Sequence, residues 1–276
     1  MRWRLLLRDP LALTGLAILL ILGTASLAAP WIAPYDPTAT SPRDMLQAPS
    51  AQHWLGTDDL GRDVLSRLLH AGRVSLGLAL AVALASVALG SLAGGLAGLL
   101  GGRVDRTIGA VIDTLLAIPP LALAMVASSF LQLDLPRLIA ILALVSWTGV
   151  ARLARGQVLS LREREFVEAA RASGATTGRL LLRHLLPNAA APLAVAGTLL
   201  VATAILIESA LSFLGFGLAP PTASWGGMLN EAQLWFQEAW WLAVYPGLTI
   251  TLAVASVNVL GEGLRAAASG RDEGVA

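Results

Sequence analysis

The sequence predicts an all-α integral membrane protein with six transmembrane helices. Three observations carry this. Hydrophobic residues make up 56% of the 276 residues and charged ones only 13%, against about 25% charged in soluble domains, and mean hydropathy is +0.71. Apolar runs recur at about the 20-residue length a bilayer demands. The segments between them carry the prolines and most of the charge. The chain lacks cysteine, which removes disulfides, thiolate metal sites and a Cys nucleophile. All 19 basic residues are arginine. Without lysine there is no Walker A phosphate loop and no Schiff base, so ATP, if used, is bound by another chain. A net charge of +1 gives no footprint for nucleic acid.

The 1–30 segment holds a basic tail (Arg2, Arg4, Arg8) and a first span, Leu11–Ala29. A cleaved signal peptide competes, but the run exceeds a usual signal core. Residues 31–73 form a proline-rich connector, with Pro34, Pro37, Pro42 and Pro49. In its last part Thr57 or Asp58 is the expected N-cap of an amphipathic surface helix running to His70, with Leu60, Val64, Leu65, Leu68 and Leu69 on one face. Asp58, Asp59 and Asp63 are a weaker candidate cation site, lacking EF-hand spacing.

Val74–Gly102 is the second span. Gly90, Gly94, Gly98 and Gly102, flanked by Gly95 and Gly101, allow close helix approach, within the chain rather than at a dimer seam. Ile108–Phe130 is the third span, broken by Pro119-Pro120. Leu131–Arg137 is a turn and Leu138–Leu153 the fourth span. Ala189–Gly217 is the fifth, and Leu218–Ala239 a tryptophan-rich loop. Trp240, Trp241 and Tyr245 then read as an interface belt before a last span near Leu242–Leu264 and a short tail, 266–276.

With six spans both termini share a side with the Arg103 turn and the segment 160–188. That side holds Arg2, Arg4, Arg8, Arg103, Arg106, Arg152, Arg155, Arg162, Arg164, Arg171, Arg179, Arg183, Arg265 and Arg271, which is 14 of the 19. The positive-inside rule makes it cytoplasmic.

The stretch Glu165–Pro187 is a charged island between oily segments. It reads as two short helices. In Leu161–Ser173, Arg164/Glu168 and Glu168/Arg171 pair on a wet face, while Phe166, Ala169 and Ala170 form the opposite one. Gly174 suits the C-terminal stop. Thr176 or Thr177 caps a second helix through Leu186, and Pro187 starts the turn into the next span. The residues leave open whether this is a docking element or an ordinary connector.

The spacing of the island carries a resemblance. Glu168-Ala169-Ala170, three residues, Gly174, nine residues, a usually apolar position, one residue, then Leu186-Pro187 is similar to the coupling-loop signature of permease subunits in bacterial binding-protein-dependent ABC importers. His184 stands where many members carry Ile. L-G-T-D-D-L-G-R-D-V-L-S-R-L (Leu55–Leu68), E-S-A-L-S-F-L-G-F-G (Glu208–Gly217) and P-P-T-A-S-W-G-G-M-L (Pro220–Leu229) resemble the dipeptide, oligopeptide and nickel branch, and its second, C-type permease. The resemblance implies a core permease domain over 74–265, with a cytoplasmic coupling helix-turn-helix between helices 4 and 5. It implies a bacterial inner-membrane location. It implies a related second permease, two ATP-binding subunits holding ATP and Mg, and an external solute-binding protein. It implies no catalysis and no bound cofactor in this chain. Glu168, Ala169, Ala170, Gly174, Leu186 and Pro187 would couple to the ATPase.

Ionisable residues inside spans are costly in lipid. Glu208 and Asp113 are the candidate gate or pathway residues, with a structural or gating role favoured over solute contact. Asn258 and Glu262 lie near the inner end of the last span. His53, His70 and His184 are scattered and make no metal site. A self-sufficient channel or secondary transporter is the alternative; it expects internal repeats, and none is evident. An intramembrane enzyme would need a paired constellation inside the spans, and no His falls in one.

Overall fold

A computed structural model describes residues 9–130 and 134–269. Arg2, Arg4, Arg8, Leu131 and Arg271, on which parts of the sequence reading rest, lie outside the described residues. The described chain is helical: α1 (Pro10–Leu27), α2 (Ala29–Ile32), α3 (Val64–Leu100), α4 (Gly102–Leu116), α5 (Pro120–Ser129), α6 (Leu135–Leu161), α7 (Glu165–Ala172), α8 (Thr177–Arg179), a π-helical turn (Leu180–Leu185), α9 (Leu186–Asn188), α10 (Ala190–Phe213), α11 (Trp225–Ala232) and α12 (Trp241–Ser269). Five helices (α1, α3, α6, α10 and α12) are long and apolar enough to cross a membrane. The pair α4 and α5 passes the same test together but bends by 86°. Counted as one broken span, it makes six. Pro119-Pro120 supplies the break, since proline removes a helix hydrogen bond and clashes with the preceding turn.

Helices α3 and α6 pack against each other most extensively, with α10 against both, α12 against α10, and α1 against α12 and α3. The glycine stripe explains the first contact. A Cβ on Gly94 would collide with the Ala151 backbone, and one on Gly90 would sit 2.7 Å from the Trp147 carbonyl oxygen. Backbones touch where a side chain would hold them apart. The stripe is thus packing within the chain, as expected. Gly101 and Gly102 do not belong to it: both have positive φ and make the turn from α3 into α4.

Two sequence expectations fail in the connector before α3. The surface helix from Thr57 to His70 does not form. Residues 58–62 are a loop, and Asp63 is the N-cap, its carboxylate accepting from the Ser66 N–H at 2.8 Å. The Asp58 carboxylate instead accepts from the Leu60 and Arg62 N–H groups, both at 2.9 Å, and so closes the loop on itself. From Val64 the helix runs unbroken into the second span, 37 residues to Leu100. At about 1.5 Å per residue this exceeds the ~30 Å of hydrocarbon, so one end of α3 stands clear of the bilayer. Trp241 is likewise no belt residue. It is buried and its indole N–H donates to the Thr57 carbonyl at 3.1 Å. Trp240 is exposed.

Candidate functional site

The segment between α6 and α10 is built on one buried contact. Val167 is fully buried and packs with Val158, Leu180, Leu181 and Leu185, with Leu96 and Leu99 of α3 closing the cluster. Burial of these aliphatic chains holds α7 and the π turn to the ends of α3 and α6. Arg162 adds a tie, donating to the Gly98 carbonyl at 3.2 Å. Arg155 ion-pairs with Asp105 and holds the start of α4 to the same end.

Helix α7 stops as the sequence predicts. Gly174 has φ +80°. Its N–H donates to the Arg171 carbonyl at 2.9 Å, and the Ala175 N–H to the Ala170 carbonyl at 3.0 Å. This is the Schellman pattern, whose left-handed residue favours glycine. Thr176 caps α8 through the Arg179 N–H at 3.4 Å. The rest of the segment differs from expectation. Helix α7 starts at Glu165 rather than Leu161. The Arg164/Glu168 and Glu168/Arg171 ion pairs do not form among the described residues. Phe166 and Ala169 lie on the exposed side, and Val167 with Ala170 faces inward. Val167 and Ala170 are three apart and share a face, but so do Phe166 and Ala169, so spacing alone does not choose the inner one. Pro187 does not open a turn. It sits inside α9, which leads through Ala189 into α10. The wider π-helical turn before it admits a residue that a regular α-helix rejects.

Of the sequence-predicted residues, Glu168, Ala169 and Gly174 are exposed, Ala170 is half-buried, and Leu186 packs beneath while Pro187 is exposed. Asp113 is elsewhere, exposed on α4 and 2.6 Å from Arg152 of α6. Glu208 is towards the opposite end and fully buried. Its Oε1 accepts from the Ser212 hydroxyl at 2.7 Å, and Ser212 receives the Ser224 hydroxyl at 3.5 Å. The Ser75 hydroxyl accepts from the Trp225 N–H at 3.1 Å, and the Trp225 indole donates to the Leu68 carbonyl at 3.1 Å. Glu208 therefore belongs to a polar joint between α10, the start of α11 and α3.

A second joint was not foreseen. Arg67, 4% exposed, meets Glu231 in fork geometry at 2.6 and 3.0 Å and also pairs with Asp58. Arg62 reaches Asp58 at 2.7 Å and Glu231 at 3.0 Å. Two guanidinium groups thus stand against Asp58 and Glu231, with Asp59 at the margin. Burial, with the Asp58 and Glu231 charges adding to it, holds the Asp59 carboxyl above its ordinary range. Asp63, the third acid of the candidate cation site, is committed elsewhere, 3.0 Å from His53.

The family model described as binding-protein-dependent transport system inner membrane component matches residues 86–271. The chain belongs to this family. A model of the N-terminal TM domain of oligopeptide transport permease C matches residues 1–49. A di/tripeptide transport system permease protein, DppC, of Pseudomonas aeruginosa is 41% identical over 269 residues, covering 95% of this chain and 89% of that protein. A Brucella suis protein named as a peptide transport system permease is 41% identical over 251 residues, 91% of this chain and 84% of that one. The chain is thus an integral membrane permease of a binding-protein-dependent transport system. This membership displaces the self-sufficient channel and the intramembrane enzyme.

Proposed function

We propose that this permease forms half of the translocation pathway of an ATP-driven peptide importer, and that α7 is its docking element for a partner ATPase. A related second permease completes the pathway, two ATPase subunits bind ATP and Mg, and an external binding protein delivers the solute. Both termini and the segment from Arg162 to Asn188 are cytoplasmic. The observation that carries the reading is the two-sided build of α7. Val167 anchors it to the helix ends, while Phe166, Glu168 and Ala169 remain exposed on it and Gly174 limits its length. A push on α7 passes through Leu180, Leu181 and Leu185 to α3 and α6, which is the coupling of a rigid element to spans. Peptide rather than nickel is supported by the names of the relatives. Asp113 and Glu208 are assigned positioning roles between helices, not solute contact.

The test is Gly174→Leu. A Cβ there would meet nothing within 4 Å, but φ +80° strains any side chain there. The variant permease is expected in the membrane at normal levels while the ATPase no longer co-purifies. Recovery of the ATPase at wild-type strength overturns the docking role.

A further inference from the structure

At the end of α3 away from the coupling segment is a cavity of about 230 Å³ whose lining includes Thr38, His70, Arg73 and Thr222. Arg73 is exposed and has no ion pair among the described residues. His70 Nδ1 lies 2.9 Å from the Ser66 carbonyl oxygen. A carbonyl only accepts, so Nδ1 carries the hydrogen and Nε2 of the neutral ring is an acceptor. Asp36 stands beside this lining: it takes the N–H of Thr38 at 2.7 Å and its hydroxyl at 2.6 Å, both on Oδ1. Those hydrogen bonds hold its carboxyl below the ordinary range, so it stands as an anion. The mouth therefore offers one unpaired cation beside two acceptors.

Below Arg73 the same face of α3 becomes an open apolar track. Gly77, Leu80 and Leu84 follow at four, seven and eleven residues. Leu80 is 54% and Leu84 63% exposed, and a Cβ on Gly77 would meet nothing within 4 Å. Eleven residues of helix span about 16 Å, roughly half the ~30 Å hydrocarbon thickness. The track is as long as one leaflet is deep.

We infer that this cavity and track bind one phospholipid with a primary-amine headgroup: phosphate on Arg73, ammonium on Asp36 and His70 Nε2, an acyl chain along Gly77, Leu80 and Leu84. The charge pattern selects a zwitterion, because a second anionic headgroup would face Asp36. A quaternary ammonium has no N–H to donate to the two acceptors. The lipid would fix the proline-rich connector against α3, and the inference is independent of the transported solute.

Native mass spectrometry of the purified permease complex, titrated with phosphatidylethanolamine or phosphatidylcholine, tests it. Phosphatidylethanolamine is expected to bind more tightly. Arg73→Gln removes a charge-assisted contact of roughly 1.5 kcal/mol, which weakens its Kd about tenfold. Gly77→Leu, whose Cβ would meet nothing within 4 Å, obstructs the track and weakens it as well. Wild-type affinity in Arg73→Gln, or equal affinity for phosphatidylcholine, overturns the site. So does efficient cross-linking of Gly77→Cys to the second permease, which would show a protein surface on the track.

Discussion

Asp59 is the residue whose chemistry is most exposed to test. It sits beside a compact network in which Arg67 and Arg62 neutralise Asp58 and Glu231. Its own distance to Arg62 is 4.0 Å, so it adds negative charge with little return. Its carboxyl is held above the ordinary value of 3.8, first by burial and then by Asp58 and Glu231. The folded state therefore binds this proton more tightly than the unfolded one. The favourable contribution is complete below the ordinary pKa and is lost as pH rises through the raised folded value. At neutral pH the ionised carboxylate costs stability. Asp59→Asn is expected to raise the melting temperature at pH 7, with the gain shrinking as pH falls toward 4. An unchanged or lower melting temperature at pH 7 would show that Arg62 holds Asp59 more strongly than burial opposes it. The role of Glu231 was not legible in the sequence. It comes together with Arg67 only when the loop before α11 folds back over the start of α3, a contact across 164 residues.

At the scale of elements, the α3–α6 contact shows what helical spacing can and cannot tell. The four-residue glycine repeat announced a close approach but did not name the partner, which is α6 and not the next helix in the chain. Gly94→Val should drive a branched side chain into the Ala151 backbone. Overpacking of this kind costs about 1–3 kcal/mol, and more when the obstacle is backbone. Gly149→Val, on α6 but open to space on its Cβ side, is the matched control. Thermal unfolding in detergent should separate the two, and equal melting temperatures would remove Gly94 from the interface. The same periodic reasoning misplaced the start of α3. Leu60 lay in register with Val64 and Leu68, but Asp58 turned its carboxylate onto its own loop and left the cap to Asp63. Asp58 fits the capping signal of the sequence, and only the loop geometry gives that place to Asp63, five residues on. In α7 the inner face was misassigned because Phe166 is larger than Val167, and helical spacing fits either residue. The six spans, the break at Pro119 and the stop at Gly174 were legible because proline, glycine and span length act locally. The Arg67–Glu231 pair and the contacts of Ser212 with Ser224 and of Ser75 with Trp225 were not, since these bring separate elements together.

For the molecule as a whole the open physical question is which way it faces. The helices fix a relative topology: the segment holding α7 emerges at one end, and the proline-rich connector with α11 at the other. The arginine asymmetry is the ground for the proposal that the first of these is cytoplasmic. Nearly all of the positive excess lies in short connectors and helix ends, where the rule has force. The absence of cysteine makes the test direct, since any introduced thiol is the only one. Ser173 and Ala51 are both exposed polar-loop positions remote from the buried clusters. Ser173 does donate to the Ala169 carbonyl at 2.9 Å, but the Gly174 stop does not depend on that bond. An impermeant maleimide applied to spheroplasts is expected to label Ala51→Cys at once and Ser173→Cys only after permeabilisation. Labelling of Ser173→Cys in sealed cells would invert the molecule and leave α7 with no ATPase to meet, because ATP hydrolysis is confined to the cytoplasmic side. Labelling of both would mean mixed insertion, and the arginine count would then be too weak a guide for this chain. The expected pattern joins the charge asymmetry of the sequence to the docking role of α7 through one measurement.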